Sequence, residues 1–357
     1  MSWAAHEFEN YLLQKEFTRD GWTKPSFLAI VIGTFGPDLF TKAFVYSAHD
    51  NAAQVHRGWP GLGFSHSFIF GVFFAVVVLW LTRSRSWAIG ILIGQWAHVL
   101  TDMGDSAGVM PFFPFSTEPV TIGLWTHSAY VGRYGDAAAY YSGPGALWDL
   151  GWMTVTLLFA WRALTAEYFR EVIVPADPRA WLWLHRTFRL PEHALLMIYR
   201  GIFFYGLGRM LSWFLYARFD AKVPFEPVWG GPTFVEGADL SDAGFVEVAI
   251  RTAIGAALFF AFLYVCWWLF IRRLWKRGVN PPSMRAIVSS GSPETRRKRR
   301  RGGDNGAAVV RRAASVSVPW ANVLRFDNER RIIAGSGYYD QLTIMIQLGH
   351  IDPPAGT

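Results

Sequence analysis

The chain has 357 residues, of which 52% are hydrophobic and 17% aromatic, and its mean hydropathy is +0.19. Charged residues make up only 17% of it, against about 25% in ordinary soluble domains, so a conventional soluble globular protein is excluded. The net charge of +7 is uneven, because residues 1–271 carry 18 Lys and Arg against 21 Asp and Glu, whereas residues 272–357 carry 16 against 6. The single cysteine, Cys266, excludes an intrachain disulfide.

The first 25 residues are polar with scattered aromatic side chains. They lack the basic start and short apolar core of a cleaved signal peptide. We therefore expect residues 1–25 to form an N-terminal interfacial arm, in which a short helix lies on the membrane surface.

Six apolar segments follow, and Trp and Tyr crowd many of their ends, as is typical of membrane interfaces. A membrane-spanning helix needs about 20 apolar residues, which the third and fourth segments only approach. The sequence therefore predicts an all-α, polytopic membrane helical bundle with about six spans within residues 26–275. The segments lie near 26–47, 64–82, 87–103, 147–164, 193–217 and 248–271.

The distribution of Lys and Arg predicts the orientation of these spans. Basic residues are concentrated in the N-terminal arm, in the second and fourth connections and in the C-terminal tail. The first and third connections have one Arg each, Arg57 and Arg133, and the fifth is acidic on balance. Because cytoplasmic loops are enriched in Lys and Arg, we predict a multi-pass protein of the bacterial inner membrane with both termini in the cytoplasm.

Residues 276–357 are predicted to form a basic, largely disordered cytoplasmic tail, which contains the run Arg296-Arg297-Lys298-Arg299-Arg300-Arg301. Each basic residue near an anionic lipid surface contributes about 1 kcal/mol, so the tail is expected to contact anionic lipid. Nucleic-acid binding is the less favoured alternative. Residues 316–350 regain apolar character and are consistent with a weak strand or helix.

Four polar residues fall in or beside the first three apolar segments. Asp38 follows Pro37 within the first, His66 opens the second, and His98 and Asp102 close the third. His98 and Asp102 share one helix face because they are four residues apart. Under the predicted topology all four side chains lie at the outer ends of their helices.

Imidazole and carboxylate groups within apolar helices are costly in lipid unless they bind an ion or one another. Nitrogen and oxygen ligands suit zinc or a similar divalent cation. We therefore predict a metal site made of Asp38, His66, His98 and Asp102, with His56 as a further candidate ligand and Asp105 or His127 as substitutes. The alternative is structural, in which these groups cap helices or form interfacial hydrogen bonds.

Asp38 and Asp102 are also the candidate catalytic residues. A divalent metal lowers the pKa of a bound water to about 7 and stabilises charge on a phosphoryl or carbonyl oxygen. A carboxylate that is not fully engaged with the metal can then accept the proton. Arg209 and Arg251 lie within predicted spans, where they either bind an anionic head group or form ion pairs with buried carboxylates.

These residues resemble the YdjM-type inner-membrane-associated family, which is classed as metal-dependent hydrolases. The resemblance covers about residues 30–120. It implies metal-ligating roles for the Asp and His residues and places Arg57 beside the substrate. The family is distantly similar to zinc-dependent phospholipase C and to P1-type nucleases, which implies phosphoester hydrolysis. The matching parts are Pro37-Asp38, His56-Arg57-Gly58, Ser65-His66-Ser67, His98 to Asp102, and Gly108 to Pro114.

The sequence departs from the family pattern in two places. Leu39-Phe40-Thr41 stand where the family usually has a second Asp, and the residues between Gly58 and Phe64 separate two halves of a motif that are normally contiguous. Our interpretation is a membrane-bound, metal-dependent hydrolase acting on a phosphoester of a lipid or lipid-linked substrate. The alternative is a non-catalytic membrane protein, either an ion or proton translocator or an anchor that recruits a partner.

Overall fold

The computed structural model describes residues 4–44, 57, 63–104, 108–124, 135–225, 244–277, 325–326 and 332–334. The chain divides into two compact units, Met1–Thr295 and Arg296–Thr357. Each unit is considered separately below.

The described part of the first unit is helical, as the sequence predicts. Short 3₁₀ or π turns extend several of the helices, at Gly63–His66, Trp161–Leu164, Phe169–Ile173, Tyr216–Asp220 and Trp267–Ile271. The helices are α1 (Ala5–Glu16), α2 (Phe27–Phe44), α3 (Phe68–Thr82), α4 (Arg85–Asp102), α5 (Gly135–Tyr141), α6 (Pro144–Phe159), α7 (Ala166–Tyr168), α8 (Val174–Ala176), α9 (Pro178–Phe188), α10 (Glu192–Leu215), α11 (Phe245–Cys266) and α12 (Arg272–Arg277).

Helices α3 and α4 form a hairpin whose ends are defined by local hydrogen bonds. Ser67 caps the start of α3 by accepting a hydrogen bond from the Phe70 N–H, and Ser84 caps the start of α4 by accepting one from the Trp87 N–H. Arg83 ends α3 in the left-handed conformation, with φ of 55°. This tight turn places the start of α3 and the end of α4 side by side.

Helices α2 and α4 contact each other closely through glycines. A Cβ atom on Gly33 would lie 2.5 Å from the carbonyl oxygen of Ile91, and a Cβ on Gly94 would lie 2.3 Å from that of Ile30. Small residues allow this approach because they leave no side chain between the two backbones. The contact brings Asp38, near the end of α2, to the level of the last turns of α4.

Helix α1 lies inside the helical body, although its sequence is polar. It packs against α2, α4, α6 and α10. Its buried polar residues are His6, Glu7, Glu9, Asn10 and Gln14. The predicted interfacial arm is corrected for its helix: α1 lies in the interior, where most of its polar side chains have partners within the bundle.

Asp149 of α6 fixes the start of α1. Its carboxylate accepts hydrogen bonds from the backbone N–H groups of Ala4 and Ala5 at 3.0 and 2.9 Å. It also accepts hydrogen bonds from the hydroxyls of Tyr140 and Tyr141 at 2.9 and 2.8 Å. A negative group at a helix N-terminus is favourable because it pairs with the unsatisfied N–H groups there.

Each of the six predicted apolar segments coincides with a helix, namely α2, α3, α4, α6, α10 and α11. Among the described residues, two helical stretches are long and apolar enough to cross a membrane, Glu192–Asp220 and Phe245–Lys276. Phe27–Thr41 and Phe68–Thr82 are apolar but shorter. The helical architecture is thus confirmed for the described residues of this unit, and the count of six spans stays a prediction.

The described part of the second unit is a short antiparallel pair of strands, β1 (Arg325–Phe326) and β2 (Ile332–Ala334), in which Arg325 lies opposite Ala334. These strands fall in the segment for which the sequence indicates a weak strand or helix. The arginine run at 296–301 lies outside the described residues.

Candidate metal centre

Two histidines and two aspartates converge at one end of the helical body. Asp38 comes from α2, His66 from the turn before α3, and His98 and Asp102 from the last two turns of α4. One potential ligand atom from each lies within 4.8 Å of the others, and all four residues are buried. The structure therefore brings together the four principal ligands predicted from the sequence.

The distances between these atoms are close to those between the ligands of one small cation. His66 Nε2 lies 3.3 Å from Asp38 Oδ1 and 3.8 Å from Asp102 Oδ2. His98 Nε2 lies 3.8 Å from Asp38 Oδ1 and 3.7 Å from Asp102 Oδ2. Bonds of about 2.0–2.2 Å to a tetrahedral zinc ion place its ligand atoms about 3.3–3.6 Å apart. Most of these separations are too long for hydrogen bonds and suit a shared ion.

His98 gives independent support for a ligand at this position. Both of its ring nitrogens are buried and lack a hydrogen-bond partner within the described part of the chain. Buried polar atoms are nearly always satisfied, so two unsatisfied nitrogens on one ring call for an explanation. The ring is held by stacking, since it lies 4.4 Å from the ring of His6 and 4.9 Å from that of His66. A cation would give Nε2 the partner that it lacks.

The turn before α3 orients His66. Ser65 Oγ lies 2.9 Å from His66 Nδ1, which leaves Nε2 facing the cluster. The side-chain amide of Gln95 donates hydrogen bonds to the carbonyls of Ser65 and Ser67 at 3.1 and 2.9 Å. Hydrogen bonds to the second nitrogen of a ligating histidine fix the direction of the ring, and this turn provides such a bond.

Arg57 is fully buried beside the cluster. Its Nη1 donates to the carboxylate oxygen Oδ2 of Asp102 at 3.3 Å and to the backbone carbonyl of the same residue at 3.4 Å. The guanidinium thus lies next to the site, where the family resemblance places it, and it contacts a candidate ligand directly. His56, Asp105 and His127 lie outside the described residues.

His6 and Glu9 of α1 form a second layer that the sequence analysis missed. His6 Nε2 lies 3.3 Å from Asp102 Oδ1, and His6 Nδ1 lies 2.9 Å from Glu9 Oε1. Glu9 Oε2 accepts a hydrogen bond from the hydroxyl of Thr101 at 2.6 Å. The available signal was the spacing of His6, Glu9 and Asn10 on one face of a short helix, but a polar N-terminal helix suggests a surface location.

His6 contacts two carboxylates in this second layer, Glu9 and Asp102. Burial lowers the pKa of His6, but the carboxylates of Glu9 and Asp102 outweigh this effect and raise the pKa to about 10. His6 is therefore protonated at neutral pH, so that it donates to Glu9 and to Asp102 at the same time. This arrangement leaves Asp102 Oδ2 directed at the cluster while Oδ1 is held by His6.

The two arginines predicted within spans are not among the converging side chains. Arg209 of α10 forms an ion pair with the buried Glu7 of α1. Arg251 of α11 is exposed and lies 3.1 Å from Glu247 on the same helix. For Arg209 the structure shows the ion-pair alternative rather than a place beside the site.

Comparison with known families identifies the region that contains the cluster. Residues 11–169 match the family model described as YdjM inner membrane protein, which confirms the resemblance found in the sequence. The matched region includes Asp38, His66, His98 and Asp102, and it begins after His6 and Glu9. No curated protein and no solved structure matches the chain significantly. The description of this family supports the prediction that the chain is a membrane protein.

Proposed function

Because residues 11–169 match the YdjM inner membrane protein family, we propose that the chain is a multi-pass, membrane-bound, metal-dependent hydrolase. Asp38, His66, His98 and Asp102 would hold its divalent cation, with zinc as the first candidate. The observation that carries this proposal is the buried convergence of these four side chains around an unsatisfied histidine.

The donor set favours zinc on chemical grounds. Two neutral imidazoles and two carboxylates provide two nitrogen and two oxygen ligands, and their charge neutralises a divalent ion. A bound cation would also offset the cost of burying two carboxylates, of which Asp102 contacts both His6 and Arg57. When bound, zinc supplies Lewis acidity that polarises a phosphoryl or carbonyl oxygen and activates water.

The exposure of the four candidate ligands indicates the side from which a substrate would approach. Of the four candidate ligands, Asp38 alone has measurable exposure, at 8%, while His66, His98 and Asp102 are at 0%. Asp38 is therefore the carboxylate best placed to meet a substrate and to accept a proton from the attacking water. Asp102 is held at both oxygens, by His6 and by Arg57, so its role is to position the site.

The substrate class follows from the family resemblance and from the location of the site. A phosphoester matches the distant similarity to phospholipase C, and the buried guanidinium of Arg57 has the geometry that phosphate oxygens prefer. The helices that carry the site are apolar, which favours a lipid or lipid-linked substrate over a freely soluble one. We also propose that the protein contacts membrane lipid and that its basic tail contacts anionic lipid.

Metal content tests this proposal. Elemental analysis of the purified full chain should find about one zinc per chain in the wild type, with loss in His66→Ala and His98→Ala. His193→Ala on α10 is the matched control, because this exposed histidine is not in the cluster and its removal should leave zinc unchanged. Zinc-dependent cleavage of bis(p-nitrophenyl) phosphate by the wild type, absent in His98→Ala, tests the hydrolytic part. A metal-free wild type would overturn the proposal.

An ion or proton translocator is the second candidate, and one observation favours it. The buried Glu7 forms an ion pair with the half-buried Arg209, and Glu7 Oε2 lacks a hydrogen-bond partner in the described part of the chain. Charged groups inside a membrane bundle often line ion paths. The test is proton or zinc flux into liposomes that carry the wild type or Glu7→Gln. Flux that the substitution abolishes would favour this candidate, provided that phosphoester cleavage is either unaffected by Glu7→Gln or undetectable in both proteins.

A further inference from the structure

A surface pocket lies at the end of α3 that is farthest from His66. It has a volume of about 340 Å³ and is formed by the last turn of α3 and the C-terminal part of Phe245–Lys276, the helical stretch that begins with α11 and is called the α11 stretch below. Since α3 has 15 residues, the two ends are about 22 Å apart, so the pocket is separate from the metal centre. Its lining residues are Trp80, Leu81, Arg83, Tyr264, Trp267, Trp268 and Arg272.

Among the described residues, the charged side chains that line this pocket are two arginines. Neither Arg83 nor Arg272 has a carboxylate within ion-pair distance among the residues that the structure describes, and both are exposed. Arg83 adopts the left-handed conformation that ends α3, so its cationic side chain lies at the negative end of the helix dipole. Two unpaired guanidinium groups in one pocket are complementary to an anion, and guanidinium geometry matches phosphate in particular.

The remaining walls are aromatic and continue into an exposed apolar surface. Trp80 and Trp268 are about half exposed, at 49% and 54%. Large apolar side chains on α3 and on the α11 stretch extend this surface, including Val76, Leu79, Phe260, Val265 and Leu269, all of which are exposed. Tryptophans that line a pocket near the end of a candidate span, Phe245–Lys276, are typical of a membrane interface.

We propose that this pocket binds the headgroup of an anionic phospholipid. Arg83 and Arg272 contact the phosphate, the tryptophans lie at the level of the glycerol backbone, and the acyl chains run along the exposed apolar faces of α3 and the α11 stretch. A free phosphate ion would use only the two arginines and would leave the apolar continuation without a partner. The combination of cationic and apolar surfaces therefore favours a lipid. This inference does not depend on the metal centre or on hydrolysis.

Native mass spectrometry of the full chain in mild detergent tests the proposal, with phosphatidylglycerol or phosphatidylcholine added at matched concentrations. We expect the wild type to retain phosphatidylglycerol in preference to phosphatidylcholine. The double variant Arg83→Gln/Arg272→Gln should bind phosphatidylglycerol about tenfold more weakly, because two charge-assisted contacts are removed. Arg85→Gln/Arg273→Gln is the matched control, since it removes the same charge from exposed neighbours that do not line the pocket.

Three results would overturn the proposal. Equal retention of the two lipids would show no headgroup recognition, and equal weakening by the control would show only general attraction to basic residues. Displacement of phosphatidylglycerol by millimolar inorganic phosphate would show that the pocket recognises the anion without the lipid. Should the arginine double variant fail to fold, Trp268→Ala replaces it, because this exposed residue can be truncated without opening a cavity, and the same loss of preference is expected.

Discussion

Helix α1 is polar but buried, whereas helix α11 is apolar but largely exposed. The polar side chains of α1, among them His6, Glu7 and Glu9, are almost fully buried. The apolar side chains of α11, such as Phe245 at 86% and Val246 at 68%, are largely exposed. In water this distribution would be unstable, because exposed apolar area costs free energy and buried charge costs more. It becomes favourable when lipid covers α11 and when the polar groups of α1 have partners inside the bundle.

The comparison shows that a side chain of these two helices is buried where other side chains contact it, whether or not it is hydrophobic. Most of the buried polar side chains of α1 have a defined contact, as His6 does with Glu9 and Asp102. Helix α11 has few contacts within the described structure, and its surface is suited to acyl chains. Substitutions that remove an interior partner should therefore have large effects, and substitutions on the lipid-facing surface should have small ones.

The largest effect is expected for Asp149→Ala, which removes the acceptor for four hydrogen bonds at the start of α1. Two backbone N–H groups and two tyrosine hydroxyls would be left in a buried environment, which we expect to cost about 4 kcal/mol. The thermal midpoint of the purified protein in detergent should fall sharply. Asp20→Ala, at an exposed position, is the control and should leave the midpoint nearly unchanged.

A smaller loss is expected for Gly94→Ala. The added Cβ would lie 2.3 Å from the carbonyl oxygen of Ile30, so α2 and α4 must separate, at a cost of about 1–3 kcal/mol. Gly208→Ala in α10 makes the same chemical change in open space and should be neutral or slightly stabilising. Denaturation of the pair in the same detergent measures the difference. Equal stability of the two variants would contradict the close contact of α2 with α4.

Removal of the second layer around Asp102 should weaken metal binding without abolishing it. His6→Ala is expected to lower zinc affinity by about 10- to 100-fold, the usual effect of losing a group that orients a metal ligand. His6→Gln, which can still donate to Asp102, should recover part of the affinity. Competition with a chromophoric chelator provides the measurement, and the rescue separates orientation of Asp102 from a general loss of folding. Unchanged affinity in both variants would remove His6 from the site.

The smallest effect is expected for Ile250→Ala on the exposed face of α11. Because little protein contact is lost at an exposed position of a candidate span, the stability in detergent should change by less than about 0.5 kcal/mol. Val99→Ala, at a fully buried position of α4, is the comparison and should cost more than this. Similar losses from the two truncations would show that protein covers α11.

Much of the helical architecture could be predicted from the sequence, because apolar runs of sufficient length indicate helices whichever solvent surrounds them. The convergence of Asp38, His66, His98 and Asp102 could be predicted as well, since these residues are polar exceptions within apolar segments. The position of α1 could not be predicted in this way. A polar helix indicates a surface location unless its partners are known, and Asp149 and Arg209 are more than a hundred residues away in the chain.

The same reason explains why His6 and Glu9 were missed and why the sequence left both an anionic headgroup and an ion pair open as partners of Arg209. Both interpretations considered each residue against its sequence neighbours, whereas the contacts that define them come from α1 meeting α4 and α10. Long-range pairing of buried charges leaves no periodic signal in the sequence. Arg83 and Arg272 likewise share a pocket only because the end of α3 meets the end of the α11 stretch.

X-ray absorption spectroscopy at the zinc edge of the purified full chain tests the central claim most directly. The account predicts one zinc ion with nitrogen and oxygen neighbours at about 2.0–2.2 Å and the multiple-scattering pattern of two imidazoles, reduced to one imidazole or to no bound zinc in His98→Ala. Wild-type protein without bound zinc, or with zinc whose imidazole signature is the same in His98→Ala, would contradict a metal centre at Asp38, His66, His98 and Asp102.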